Sequence, residues 1–144
     1  ITDAAGLDKA EVRRGLEKMD AHNGEIWGKL DAGTEKYSRE INRSNVKFER
    51  ILKNLLETAR VRPIIVQSLF LKVHGEAMSA AELEAYCGRL RDLTAAGGQI
   101  SEVHLYTVAR PTPEAFATKL EVPELETMAS AVREQTELKV SIFP

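Results

Sequence analysis

Lys29 and Asp31 stand two residues apart where the short apolar segment "EIWGKL" gives way to "DAGTE". In an extended strand the side-chain period is two, so both charges face one way, together with Trp27. Burying two charges on one face of a strand is costly unless they pair or meet a polar ligand. The residues alone leave three readings: an ion pair at the mouth of the strand, a lysine that reaches solvent along its own stem, or a site for a charged ligand. Other residues able to do chemistry are few. His74 and Glu76 have the types of an acid–base pair, and equally those of an exposed loop. His104 and Tyr106 lie in a second apolar segment, with Tyr106 facing either core or ligand. Arg110 suits a phosphate, a carboxylate or plain solvent. Gln67 interrupts the apolar run "IIVQSLFL" at 64–71. Cys87 is the one cysteine of the chain. It falls on an apolar helical face as a small core residue, and by itself forms neither a disulfide nor a multi-cysteine metal site.

The elements that position these residues follow from periodicity. Leu7 to Ala21 reads as a helix, with Asp8 and Glu11 as a capping box, Leu7 stapled onto Val12, and His22-Asn23-Gly24 as its stop. Glu25 to Leu30 reads as a short strand and Thr34 to Ile41 as a short helix. Val46 to Ala59 places Phe48, Ile51, Leu52, Leu55, Leu56 and Ala59 on one helical face, and Arg62-Pro63 ends it. The run at 64–71 has the continuous apolar character of a strand buried on both faces of a parallel sheet. Ser79 and Glu82 form a second capping box, opening a helix to Ala96 with Leu83, Tyr86, Cys87, Leu90 and Leu93 inward. "EVHLYTVA" at 102–109 is the next strand, followed by a loop set by Pro111 and Pro113. A helix then starts near Pro123, with Leu125, Met128, Ala129 and Val132 as its stripe. The last strand is "LKVSIF" at 138–143. Together with "ITDAAG", which reads as the end of a strand, the order is β-α-β-α-β-α-β-α-β. That order implies right-handed crossovers and a parallel sheet in one α/β domain over 1–144.

The 144 residues are 43% hydrophobic and 29% charged at a formal net charge of −2. That balance is not the basic composition of a nucleic-acid binder. No apolar run approaches the ~20 residues of a membrane span. A cytoplasmic location is the expectation.

In parallel α/β proteins ligands bind at the carboxyl ends of the strands. Those ends carry Thr2 and Asp3, then Lys29 to Gly33, then Lys72 to Glu76, then Thr107 to Arg110. "KLDAGTEKYSREINR", followed by "FERILKNLLE", "PIIVQSLFL" and "EVHLYTVARP", resembles the later part of radical S-adenosylmethionine (SAM) enzymes. The likeness is greatest to the Fe–S oxidoreductase group, with Asn42-Arg43 where that group carries an Asn-Arg near the end of a short helix. The resemblance implies half of a partial (β/α)6 TIM-like barrel, with Ile1 to Asp3 as the end of its third strand.

It further implies an iron–sulfur oxidoreductase parent that cleaves SAM reductively to a 5′-deoxyadenosyl radical, using SAM and a [4Fe–4S] cluster. The family's Cys-x3-Cys-x2-Cys loop has no counterpart here. This chain is therefore expected to be the carboxyl-terminal half, inactive alone and binding no cofactor by itself. The residues implied to hold SAM are Thr2, Asp3, Lys29, Asp31, Gln67, Thr107 and Val108. The charge order of Lys29 and Asp31 is reversed relative to the family's activating-enzyme pattern. The substrate is unknown. A homodimer through the exposed half-barrel edge is the expected association. The competing readings are a stand-alone α/β interaction module and an aldolase-type fragment with Lys29 as a Schiff-base lysine.

Overall fold

The computed structural model describes residues 1–144. Its elements in chain order are α1 (Ala10–Asp20), β1 (Trp27–Lys29), α2 (Glu35–Asn42), α3 (Phe48–Val61), β2 (Ile64–Leu69), β3 (Lys72–Val73), α4 (Ala80–Ala95), β4 (Ile100–Tyr106), β5 (Ala117–Thr118), α5 (Val122–Thr136) and β6 (Val140–Phe143). The main sheet has four parallel strands in the order β1-β2-β4-β6. Thr2 extends it by a parallel bridge to Gly28. Strands that neighbour one another in the order of the chain, joined by helices, make a partial TIM-like half-barrel, as the α/β reading expects.

One face of the sheet takes the helices. Ile64, Val66, Val103 and Leu105 are essentially unexposed and form one core with Leu55 and Ala59 of α3, Tyr86 and Leu90 of α4, and Leu125, Ala129 and Val132 of α5. Burying each large apolar side chain contributes roughly 1.5–3 kcal/mol. The other face carries no helix. Its central row runs Lys29, Gln67, His104, Ser141 in register across the four strands. Trp27 and Phe143 crowd His104, each with its ring centroid 4.9 Å away. Tyr106 stacks on Phe143 at 4.5 Å.

Several expectations are corrected. Helix α1 begins at Ala10 rather than Leu7, and neither Asp8 nor Glu11 caps it. Asp8 instead accepts from Arg50 at 2.9 Å, and that guanidinium holds its carboxyl below the usual range. Ser79 does cap α4, accepting the Glu82 N–H, but Glu82 does not complete a box. At α5 Glu124 accepts the Glu121 N–H, a cap the residue pattern around Pro123 had not suggested. Strand β4 ends at Tyr106, before Thr107 and Val108. Beyond Pro111 and Pro113 the chain forms β5, which pairs antiparallel with β3 in a two-stranded ribbon. Two residues per strand are too few for the side-chain pattern to reveal such a ribbon.

Candidate functional site

Lys29 closes β1, and Asp31 follows it into the turn before α2. The Lys29 ammonium lies 3.4 Å from the Asp31 carboxylate. Asp31 is 4% exposed and accepts the Leu69 N–H at 2.8 Å, which ties the end of β1 to the end of β2. Burial raises the Asp31 carboxyl above its ordinary range, opposed by Lys29, the Leu69 N–H and the Asn42 amide. The ion pair is real, and it does not close the site. Asp3, Lys29, Asp31, Ser38, Asn42 and Ser44 supply the polar lining of a cleft of about 240 Å³, with Phe48 and Ile51 among its apolar lining.

The turn carrying Asp31 is clamped from α4. Glu82 accepts from the Gly33 N–H at 2.7 Å, the Thr34 N–H at 2.9 Å and the Thr34 hydroxyl at 2.7 Å. Thr34 Oγ1 in turn accepts the Tyr37 N–H and caps α2. The Glu82 carboxylate thus sits between the first turns of two helices, where N–H dipoles favour negative charge. Gly33 packs directly on α4, where a Cβ would come within 2.1 Å of the Tyr86 nitrogen. The Ser68 hydroxyl lies 2.6 Å from the Leu30 carbonyl oxygen and 2.7 Å from the Tyr86 hydroxyl, fixing the residue just before Asp31. Glu82 looked like a local cap because Ser-x-x-Glu is a local signal. Its partners lie 48 and 49 residues away in the chain, and no local pattern reports them.

The residues singled out by sequence do not all converge. Asp3, Lys29 and Asp31 line one cleft. Thr2 sits beside it, its hydroxyl accepting the Ala4 N–H. Gln67 neighbours Lys29 in register on the helix-free face, and its Oε1 is buried without a partner, as is Nδ1 of His104. Thr107 is buried, and its hydroxyl accepts the Leu120 N–H. Val108 lines a separate groove with Arg110 and Lys119. His74 does not pair with Glu76; it stacks on Phe116 with centroids 4.6 Å apart. Lys29 has no apolar pocket: its side chain is 34% exposed and beside a carboxylate, which is not the desolvated setting of a Schiff-base lysine. No three His, Cys, Asp or Glu side chains are grouped to hold a metal ion. Cys87 is buried, and burial pushes its thiol above the usual value.

No family model and no curated protein matches the sequence. Among solved structures, a radical SAM methyltransferase from Sphaerobacter thermophilus superposes with a TM-score of 0.63 at 15% identity, over 83% of this chain. The chain spans 33% of that protein's length. At this identity the likeness establishes the fold: an α/β half-barrel of the kind found in that enzyme.

Proposed function

We propose that this chain is the carboxyl-terminal part of the catalytic barrel of a radical SAM enzyme, and that the cleft at Lys29 and Asp31 holds part of SAM. The observation that carries this reading is the convergence of Asp3, Lys29 and Asp31 on one cleft at the carboxyl ends of parallel strands. The fold likeness supports the same reading. The donor set fits part of SAM: Lys29 offers a cation to a carboxylate, and Asp3 and Asp31 offer acceptors to ribose hydroxyls or an ammonium. Asn42 and Ser38 add neutral partners. The unpaired Oε1 of Gln67 is an acceptor beside Lys29 for a donor on a bound molecule.

A [4Fe–4S] cluster does not fit the residues present. It needs thiolate ligands, and the one cysteine is buried in the core with its thiol disfavoured from ionising. In this reading the cluster ligands come from a segment outside this sequence, and no step is assigned to the cluster here. What these residues do is bind and orient, with the Glu82 clamp fixing the turn that carries Asp31. The oxidoreductase class, the cytoplasmic location and a homodimer through the outer strands belong to the same proposal. The dimer is checked by sedimentation across a wide concentration range, where a monomer throughout contradicts it.

The decisive experiment expresses the gene with its reading frame extended upstream of Ile1, without oxygen. Iron content and the electron paramagnetic resonance of the reduced protein are then recorded with and without SAM. About four irons per chain and a spectrum that changes on adding SAM are the expected result. The change is expected to be lost in Asp31→Asn with iron retained. Absence of iron and of an upstream cysteine triad overturns the reading.

A further inference from the structure

Gln67 and His104 are neighbours in register at the centre of the helix-free face, and each is only 8% exposed. Their chain neighbours Val66, Val103 and Leu105 belong to the core on the helix side, so strand alternation sends these two side chains to the opposite face. Gln67 Oε1 and His104 Nδ1 both lie there without a partner. Both are acceptors. The imidazole turns Nε2 to the Glu102 carboxylate, 3.5 Å away, which assigns the ring hydrogen to Nε2 and leaves a lone pair on Nδ1. Two buried acceptors left open on neighbouring strands are costly, and structures keep such atoms where a further group uses them. The geometry points to a second ligand site on this face, suited to a primary ammonium on an aromatic or apolar body.

The surroundings select a donor over an acceptor and a cation over a neutral group. Open acceptors repel a carboxylate or a phosphate and take N–H donors. The rings of Trp27 and Phe143 each meet the His104 ring at 4.9 Å between centroids, and Tyr106 stacks on Phe143. Ring faces attract an ammonium and give an apolar body its wall. Phe143 is 37% exposed, so this wall reaches the surface. The charges facing the pair are matched: Lys29 with Asp31 at 3.4 Å, and Glu102 with Lys139 at 3.0 Å. The Ser141 hydroxyl donates to Glu102 as well. No net charge on this face therefore opposes a cation. Both open atoms are screened from water. The terminal torsion of a glutamine is broad, so the Gln67 amide turns Oε1 toward an entering ammonium at small cost. Lys29 belongs to the same row and also lines the cleft at Asp31, so the two sites adjoin. The inference stands on the contacts of this row and not on the SAM reading.

The competing account is that the Gln67 amide turns an N–H onto His104 Nδ1 and closes the row with no ligand. Trp27 is the one tryptophan of the chain and its ring meets His104, so its fluorescence reports on this face. The probe is benzylamine, titrated into the 144-residue chain. Benzyltrimethylammonium is the control, with the same ring and charge and no N–H. A saturable change is expected with benzylamine, at an affinity about tenfold above that of the control. Gln67→Leu keeps the volume, so its melting temperature is expected to hold or rise while its affinity for benzylamine falls about tenfold. His104→Phe keeps a ring at that position and is expected to lose affinity to a similar extent. The site is refuted by absence of a saturable change, by equal response to the control, or by Gln67→Leu binding as the parent does. A parent that ignores benzylamine and a Gln67→Leu chain that melts earlier together establish the competing account. If His104→Phe does not fold, Gln67→Leu and the control amine decide. Neither iron nor SAM enters the measurement, so its failure is distinct from failure of the barrel reading.

Discussion

Glu82 and Gln67 are buried to the same degree, each 8% exposed, yet they live under opposite conditions. Glu82, on the helix side, accepts three hydrogen bonds at 2.7 to 2.9 Å. Gln67, on the helix-free face of the sheet, leaves its Oε1 without a partner. A buried polar group that is fully bonded specifies structure. One left unbonded costs about 1–3 kcal/mol, and structures keep such groups where something else uses them. The helix side of this molecule is therefore a finished interior. The other face pairs Glu102 with Ser141, Lys139 and His104 yet leaves Gln67 Oε1 and His104 Nδ1 without a partner.

Substitutions on the two sides should diverge in size and in sign. The largest effect is expected from Glu82→Ala, which strands two backbone N–H groups and the Thr34 hydroxyl. A loss of about 3–5 kcal/mol in urea unfolding is expected. A loss under 1 kcal/mol would mean that the clamp on the Asp31 turn is not holding. Gln67→Leu removes the orphan acceptor and keeps the volume, so a change between zero and about 1 kcal/mol of added stability is expected. Marked destabilisation would show that Oε1 has a partner in solution and that the contrast with Glu82 is false.

The smallest effect concerns acid. Glu102 lies beside the central row and is held down to about 2 from the ordinary 4.5, first by the Ser141 hydroxyl, then by Lys139 and His104. A carboxylate with a depressed folded-state pKa contributes stability that is fully present above its unfolded value. That contribution fades as pH falls from 4.5 toward 2. The melting temperature of the parent chain should fall more steeply across that window than that of Glu102→Gln. Parallel curves would remove Glu102 from the acid response.

How much of this was legible beforehand differs by element. The amphipathic stripe of α5 and the apolar run of β2 needed only local periodicity, and their buried positions match the expectation. In α3, Phe48, Ile51, Leu55 and Ala59 are buried as expected, Leu52 and Leu56 only partly so, and the polar Asn54 and Thr58 are buried beside them. Lys29 and Asp31 were legible as a pair because two-residue spacing in a strand dictates a shared side. Their choice between ion pair and ligand site was not, and the molecule holds an ion pair on the rim of a cleft. Thr107 shows the limit of reading strand ends: it has the right type and place, and a backbone N–H 13 residues on occupies its hydroxyl.

The sequence by itself determined the order of the helices and of the main-sheet strands, and with it a parallel sheet, because hydrophobic period acts over a few residues; the β3–β5 ribbon was not in that pattern. Tertiary structure alone decided what Glu82 clamps, that His74 turns to Phe116 instead of Glu76, and which strand-end residues share a cleft. Those outcomes depend on contacts between residues far apart in the chain. Such contacts exist only with the strands in register, and no local pattern reports them.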